Sequence, residues 1–527
     1  MSLIKSIATV GGFTLLSRLI GFGRDVLIAA FLGATMYADA FFVALRFPNL
    51  FRSLFAEGTL NVSFVPLFTE NLEKKGKKRA NRFATDAFSF LFYILLLFVL
   101  IMELLMPWAT VVLAPGFDSV PGKVEATTYL SRITFPFLMF VSLVSLLAGI
   151  LNSVGRFAAA AFTPCILNLT MITSLLLFSS YFENPAYSLS WGVFVAGIIE
   201  LVFLYVCVKR AKYDVKLLSP FRVFLHVSAE LKKLFKRMLP GIVGSGVYQI
   251  NLFLDTFFVS FVGAGAMSWL NYAHHLFQLP IGIIGVAIGT VLLPLLSHYI
   301  AEGKLKKAVY DLNRGLELSL AMSLSSMIGL IILAVPIVSV LFERGAFSYQ
   351  ETLPTAFALQ AFAIGLPAYM LTKALSPFFY AKGDTKTPVK IAIFGVIINA
   401  CLCFILMQKW GHVGIALATG LTVWINAFQY IYLLKKQGDF HLDRLFKYRF
   451  VRIFLSALLM GLLLFSGEFV YKQIWSDWLH LPGLIPFLLL SILIVISVVI
   501  YFLTLLVTRA ILWSEVKQFI KPSRRKA

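Results

Sequence analysis

The chain has 527 residues, of which 59% belong to the apolar set AVILMFWYC and 13% are charged, and its formal net charge is +21 at pH 7. Soluble globular domains average about 45–50% apolar and about 25% charged residues, so this composition excludes an ordinary soluble domain. It also excludes a disordered chain, because 51 phenylalanines and 19 tyrosines carry far more apolar surface than disordered segments do.

Long apolar runs recur along the chain, each near the ~20 residues that a helix needs to cross about 30 Å of hydrocarbon. Residues 133–155 and 157–182, for example, contain no Asp, Glu, Lys or Arg. We therefore expect an all-α polytopic membrane protein with about fourteen transmembrane helices. Their predicted centres lie near residues 20, 47, 97, 141, 171, 195, 250, 285, 325, 365, 396, 421, 459 and 495.

The basic residues of the loops fall mainly on one side of this predicted topology. They cluster in residues 74–82, 209–237, 304–314, 382–390, 435–452 and 517–526. The opposite loops contain only Lys123, Arg344, Lys409 and Lys472. Because cytoplasmic loops carry the excess of Lys and Arg, we expect an inner-type membrane protein with both termini in the cytoplasm. The charge is spread over membrane-flanking loops, so nucleic-acid binding is not expected.

The chain repeats a set of landmarks at a shift of about 230 residues. The corresponding pairs include Asp25 and Asp255, Phe31–Ala34 and Phe261–Ala264, Pro48 and Pro280, Pro66 and Pro294, and Pro136 and Pro367. Parallel repeats related by an axis along the membrane normal are common in transporters. We expect three regions: a six-helix lobe (1–215), a second six-helix lobe (216–440), and two extra helices with a basic cytoplasmic tail (441–527).

Charged side chains inside the predicted spans are few and are concentrated in the first two. The basic residues within spans are Arg18, Arg24, Arg46, Arg52, Arg132 and Lys373, and the acidic residues in or near the first two spans are Asp25, Asp39 and Glu57. Each charge costs at least ~2.5–3.5 kcal/mol at a helix centre, so these groups should face a watery cavity or one another. Guanidinium groups match phosphate oxygens bidentately, so the excess of arginine favours an anionic ligand. Alternatively, Arg24 pairs with Asp39 or Asp25 to hold two helices together.

The corresponding region of the second lobe carries His274 and His275 instead of arginine. Imidazole changes charge near pH 6.5, so these histidines are either titratable contacts or packing residues. The sequence contains no Walker-type nucleotide motif, no H-E-x-x-H zinc motif and no acidic pair for a diphosphate metal site. We therefore expect a transporter that is not an enzyme and has no cofactor.

Three segments of the first lobe carry a specific pattern: Ser17 to Asp25, Ala38 to Phe42, and Phe47 to Pro66. Together with Tyr272-Ala273, Leu279-Pro280, Gly289-Thr290 and residues 382–388, this pattern resembles the MurJ (MviN) lipid II flippases of the multidrug/oligosaccharidyl-lipid/polysaccharide exporter superfamily. The resemblance implies a flippase that moves the undecaprenyl-diphosphate-linked peptidoglycan precursor to the periplasmic leaflet by alternating access. It also implies that the two extra helices form an apolar groove for the lipid tail.

The same resemblance assigns roles to individual residues. It implies that Arg18, Arg24 and Arg52 meet the diphosphate, with His275 where the family usually has arginine. It further implies that Asp25 and Asp39 are partners of these arginines and that Glu57 belongs to the gating region.

Some members of the family bind a cation between the helices that here carry Asp255, Asn399, Cys403 and Thr419. Three of these residues offer oxygen ligands, but Cys403 stands where a carboxylate is expected, and a thiol is a poor ligand for a hard cation. Sodium coupling therefore stays open, with a weak site at Asp255, Asn399 and Thr419 as the candidate.

Alternative functions remain at this stage. A flippase for another polyprenyl-diphosphate-linked glycan would use the same arginines, whereas a membrane-embedded lipid-phosphate enzyme would also need a nucleophile or metal-binding carboxylates. A multidrug antiporter for cations fits a basic lobe poorly, and a non-transporting scaffold would leave the buried charges unexplained. The expected partners are lipid II, membrane lipids, a monovalent ion and cell-wall synthesis proteins.

Overall fold

The computed structural model describes residues 3–55, 59–225, 227–438, 440–474, 477–481 and 484–513. Within these ranges the chain is built of α-helices with short 3-10 and π segments, and no β-strand is formed. The predicted all-α polytopic fold is therefore confirmed.

The chain divides into two compact units, Met1–Ser268 with Arg344–Phe347, and Trp269–Glu343 with Ser348–Ala527. The helices of the first unit are α1 (Leu3–Leu32), α2 (Met36–Phe55), α3 (Thr59–Leu113), α4 (Lys123–Thr134), α5 (Phe137–Ser153), α6 (Phe157–Phe178), α7 (Pro185–Arg210), α8 (Pro220–Leu225) and α9 (Ala229–Ser260). Helix α10 (Ala266–Pro280) begins in the first unit. The helices that follow it are α11 (Val286–Ala301), α12 (Leu305–Ile332), α13 (Ala334–Phe342), α14 (Tyr349–Ile364), α15 (Leu366–Ala381), α16 (Lys386–Lys436), α17 (Arg444–Ile474) and α18 (Ile485–Val507).

Two long helices are interrupted by a glycine in a conformation that other residues rarely adopt. Gly76 in α3 has φ 77° and ψ 172°, and Gly411 in α16 has φ 54° and ψ −130°, so each element is two helices joined at a turn. Ten helical stretches of the described chain are long and apolar enough to span a membrane. Helices α1, α2 and α9, with at least 20 residues each, lie outside these ten, and the predicted number of fourteen transmembrane helices stays a prediction.

Some of the repeat landmarks lie near helix boundaries, whereas Pro48, Pro66 and Pro294 lie inside helices. Helix α1 ends at Leu32, immediately before Gly33 (φ 60°), and α9 ends at Ser260, three residues before Gly263 (φ 118°). Pro136 lies between α4 and α5, and Pro367 lies in the first turn of α15 immediately after α14. The compact units do not divide the chain at residue 215, because α9 lies in the first unit, and the extent of the two repeated lobes stays a prediction.

The two C-terminal helices are packed into the core of the second unit. Helix α17 contacts α12 and α18, and buried Met460 and Leu464 of α17 belong to this core. The hydroxyl of buried Tyr501 in α18 donates a hydrogen bond to the carbonyl of Ala321 at 2.6 Å. These contacts make α17 and α18 an integral part of the unit.

A buried ionic network also joins α12 to α17. The Arg449 guanidinium of α17 donates to the Glu317 carboxylate of α12 at 2.9 Å. Arg314, one turn before Glu317, reaches Glu317 at 2.7 Å and Asp443 at 2.5 Å. Arg449 and Glu317 are each about 5% exposed, so the network replaces the water that these charges lose on burial.

The connection between α17 and α18 is anchored by a histidine with two acidic partners. His480 Nδ1 lies 2.7 Å from Asp477, and its Nε2 lies 2.9 Å from Glu343, which follows α13. The second oxygen of Glu343 accepts a hydrogen bond from Thr352 at 2.9 Å. The hydrogen bonds to Glu343 and Asp477 raise the pKa of His480 above its usual value.

This pKa shift predicts a pH-dependent contribution to stability. A histidine whose pKa is higher in the folded state than in the unfolded state stabilises the fold. This stabilisation is complete below the unfolded-state pKa of about 6.5, and it is lost as pH rises through the folded-state pKa. We expect the thermal midpoint of the purified protein to fall over that window, and the fall to be smaller in His480→Gln. The exposed His441, whose side chain has no hydrogen-bond partner in the described chain, supplies the control His441→Gln. Equal pH profiles for wild type and His480→Gln would rule out this contribution.

Candidate functional site

Arg24, one of the predicted membrane arginines, is held by side chains of two helices. Its Nη2 and Nε atoms donate to Asp25 Oδ1 at 2.6 and 3.0 Å, and its Nη1 donates to Asn168 Oδ1 of α6 at 2.8 Å. The side chains of Arg24 and Asp25 are 18% and 12% exposed. A guanidinium in this setting is largely desolvated but remains accessible to a ligand.

Asn168 positions Arg24 because its own amide is fixed on α1. Its Nδ2 donates to the carbonyl of Ser17 at 3.0 Å, and a Cβ at Gly21 would lie 3.1 Å from the same nitrogen. Gly21 thus leaves the space for this contact. Sequence analysis missed Asn168, although an amide in the charge-free run 157–182 was a usable signal.

The other two predicted arginines have different surroundings. Arg18 is exposed and has no hydrogen-bond or ion-pair partner in the described part of the chain. Arg52 is partly buried on α2, one turn beyond Pro48, and interacts electrostatically with Glu200 of α7. Glu200 is only 3% exposed and was not among the predicted site residues. Its signal in the sequence is a single carboxylate inside the apolar helix α7.

Asp39 is not brought to the arginines but forms a separate buried cluster in the first unit. Its Oδ2 accepts hydrogen bonds from Lys123 Nζ at 2.7 Å and from the Gly265 amide at 2.8 Å. Its Oδ1 accepts from the amide and the hydroxyl of Ser268 at 2.9 and 2.7 Å. Of the two acids considered as partners of Arg24, the structure therefore pairs Asp25 with it.

Lys123 is the partner that sequence analysis placed in an outer loop. It is instead the first residue of α4, its side chain is 1% exposed, and its Nζ lies 3.9 Å from the ring centroid of Phe117. The ring and the carboxylate together replace the hydration of the ammonium group. Glu57, the predicted gating residue, lies outside the described residues.

The predicted histidine contact lies in the second unit. His275 is partly buried on α10, next to buried Leu276 and Phe277. Its neighbour His274 has its Nε2 2.5 Å from the amide nitrogen of Gln278 and packs edge-on against Phe362 at 5.4 Å. His274 therefore has both a polar partner and an aromatic one.

The residues of the candidate cation site are divided between the units, with Asp255 in the first and Asn399 and Thr419 in the second. The Thr419 hydroxyl donates to the Ile415 carbonyl at 3.2 Å, and Asn399 Oδ1 accepts from Thr422 at 3.4 Å. Across the described residues, no group of three or more His, Cys, Asp or Glu side chains is placed to hold a metal.

Because Asp39 and Lys123 form a buried ion pair, we expect substitutions at these two residues to have strongly non-additive effects on stability. Removing one partner of a buried ion pair costs about 3–5 kcal/mol, because the other charge stays buried without compensation. We expect Asp39→Asn and Lys123→Met each to lower the thermal midpoint sharply, and the double variant to unfold at a higher temperature than either single variant. Thermal unfolding of the purified variants measures this, and strictly additive losses would contradict direct pairing.

The chain is similar to lipid II flippases along almost its whole length. The sequence model of the family described as "Lipid II flippase MurJ" matches residues 28–485. A "probable lipid II flippase MurJ" from Rickettsia prowazekii (strain Madrid E) is 38% identical over 504 residues, covering 95% of this chain and 97% of the relative. The "Lipid II flippase MurJ" of Burkholderia cenocepacia is 33% identical over 482 residues, covering 91% of this chain and 92% of the relative.

Solved structures agree with these relatives. A structure described as "Lipid II flippase MurJ, inward closed conformation" has a TM-score of 0.77 and 27% identity, and the match covers 97% of this chain and 99% of that one. An inward-facing multidrug resistance MATE family transporter of the MOP superfamily has a TM-score of 0.66 at 14% identity over 81% of this chain and 97% of that one, a likeness of fold alone. The chain therefore belongs to the MurJ lipid II flippase family.

Proposed function

We propose that this chain is a lipid II flippase, which carries the undecaprenyl-diphosphate-linked peptidoglycan precursor from the cytoplasmic to the periplasmic leaflet. The observation that carries the proposal is the full-length similarity to lipid II flippases, from 38% identical relatives to a structure with a TM-score of 0.77. The Arg24 site supports it independently, because a diphosphate needs a fixed cation that stays charged inside the membrane.

Arg24 is the residue we assign to first contact with the diphosphate. Its ion pair with Asp25 lies within one helix, so the carboxylate can shift by side-chain rotation without separating two helices. Asn168 holds the guanidinium in place while phosphate oxygens replace part of that pairing. Arg18, Arg52 and His275 are proposed further contacts, and Glu57 a gating residue.

The transport cycle we propose is alternating access between two lobes, residues 1–215 and 216–440, with α17 and α18 accommodating the lipid tail. Substrate can drive such a change only if it binds the two states differently. Neutralisation of the arginines by the diphosphate supplies that difference, because repulsion among like charges falls when the substrate is bound. Both termini lie in the cytoplasm under this proposal, and the protein itself catalyses no covalent reaction.

The return of the emptied basic lobe is assigned to the membrane potential. An inside-negative potential is worth about 2.3 kcal/mol per charge per 100 mV, and it favours movement of cationic side chains toward the cytoplasm. We expect flipping to slow by several-fold when the potential is collapsed by an ionophore. Unchanged flipping at zero potential would exclude this step, and replacement of Na⁺ by choline in the same assay tests the cation site at Asp255, Asn399 and Thr419.

The central experiment depletes the protein in its bacterial host and measures whether lipid II becomes accessible to a probe that acts only from the periplasmic side. We expect wild type to restore accessibility and Arg24→Ala to reduce it at least tenfold, since an arginine–diphosphate contact is a charge-assisted bidentate bond. The matched control is Arg156→Ala, which removes an exposed arginine of the same unit before α6.

Each outcome decides between stated functions. If lipid II stays trapped on the inside without this protein, the flippase assignment holds. If lipid II still reaches the outside while another polyprenyl-diphosphate glycan accumulates, that glycan is the substrate and the arginine assignment alone survives. If Arg24→Ala and Arg156→Ala behave alike, Arg24 has no special role in binding. Copurification with cell-wall synthesis enzymes would test the partners that we expect.

A further inference from the structure

A second basic site lies in the first unit, on helices other than α1 and α6, which carry Arg24 and Asn168. A cavity of about 300 Å³ opens between α3, α8 and the first turn of α9. Its polar lining consists of Arg79, Arg82, Asp86, Arg222 and Ser228. Three guanidinium groups against one carboxylate give the cavity a net positive lining.

The cavity exists because the segment between α7 and α8 is fastened along α3. Asn81 exchanges two hydrogen bonds with the backbone of Asp214, at 2.8 and 3.0 Å. Ser89, about two turns further along α3, donates to the Lys216 carbonyl and accepts from the Leu218 amide, at 3.1 and 3.0 Å. Tyr93 completes the series with a 2.8 Å hydrogen bond to the Leu218 carbonyl. The start of α8 is thereby fixed beside an apolar part of α3.

Helix α8 presents aromatic and aliphatic side chains outward at this position. Val223 is buried, and Phe224 packs against Phe90 of α3 with ring centroids 5.6 Å apart. Phe221 and Leu225, by contrast, are 77% and 74% exposed. Large exposed apolar side chains beside arginines are typical of a segment at the boundary between lipid head groups and acyl chains.

The arginines of the cavity are unequally engaged by the protein. Arg79 donates to Glu230 at 2.8 Å, and Lys75 reaches the same carboxylate oxygen at 3.1 Å. Arg82 and Arg222 form no hydrogen bond or ion pair within the described residues, although both interact electrostatically with half-buried Asp86. Two guanidinium groups that face one cavity without a bound carboxylate are suited to a phosphate group.

We propose that this cavity binds the phosphate of an acidic phospholipid in the leaflet that borders α8. Arg82 and Arg222 hold the phosphate, while Phe221 and Leu225 lie against the acyl chains. The bulk lipid favoured by this arrangement is one with a net negative head group, such as phosphatidylglycerol, because a zwitterionic head group brings its own cation into a basic cavity. The site is separate from the transport site, and it does not depend on which glycolipid is flipped.

The test uses the full-length protein in phosphatidylcholine vesicles that contain a photoactivatable phosphatidylglycerol. After illumination, mass spectrometry measures crosslinking within residues 213–237 relative to the rest of the chain. We expect wild type to crosslink in this segment, and Arg82→Ala/Arg222→Ala to lose about fivefold or more of the yield. The matched control Arg210→Ala/Arg237→Ala removes two exposed, unpaired arginines of the same unit and should keep the wild-type yield.

Further measurements distinguish lipid phosphate from free phosphate and control for misfolding of the variants. Inorganic phosphate in excess should leave the crosslink largely intact, and a phosphatidylcholine probe with the same label should crosslink weakly. Full competition by free phosphate, equal crosslinking of both lipids, or an equal loss in the control variant would overturn the proposal. Arg82→Lys/Arg222→Lys keeps the charge and should retain a larger share of the yield than the alanine variant, so a folding defect in the latter does not decide the outcome.

Discussion

A charged side chain inside a bilayer loses the water that would otherwise solvate it, and polar or charged groups of the protein must replace that water. This requirement organises much of the molecule. Arg24 is solvated by Asp25 and Asn168, and Asp39 by a lysine, two amides and a hydroxyl. In each case partners from more than one segment converge on one charge, so the cost of burying it becomes a constraint on how the helices pack.

The Arg24–Asp25 and Asp39–Lys123 ion pairs of the first unit differ in how accessible they are to a ligand. Lys123 and Asp39 are at most 1% exposed and carry a full set of partners, so no position is open to a ligand. Arg24 and Asp25 are more than a tenth exposed and are adjacent in the chain, so a ligand can reach this pair. A buried cation with a replaceable counterion can exchange a carboxylate for a phosphate, whereas the Asp39 cluster is suited to fixing helices.

Much of the fold follows from local rules. Apolar runs of membrane length predict most of the helices, the repeated residues Gly33 and Pro136 lie at helix boundaries, and the Arg24–Asp25 pair joins neighbours in the sequence. Contacts between distant segments could not be predicted in this way, since Asn168 lies 144 residues from Arg24 and Lys123 lies 84 residues from Asp39. Composition alone places Lys123 in a loop. Its burial depends on the packing of Phe117 and Asp39 around its ammonium group. Similarly, Arg79, Arg82 and Arg222 lie in two basic stretches, 74–82 and 209–237, and the charge distribution of the sequence relates these stretches only to the orientation of the chain in the membrane.

The buried network of α12 and α17 has a consequence for how the protein is made. Glu317 leaves the ribosome 132 residues before Arg449, its partner in the finished structure. At a synthesis rate of about 5–20 residues per second, on the order of ten seconds pass between the synthesis of Glu317 and that of Arg449. During this interval Arg314, one turn away on the same helix, is available as a provisional counterion. Helix α12 therefore carries its own charge compensation until α17 supplies Arg449 and completes the network.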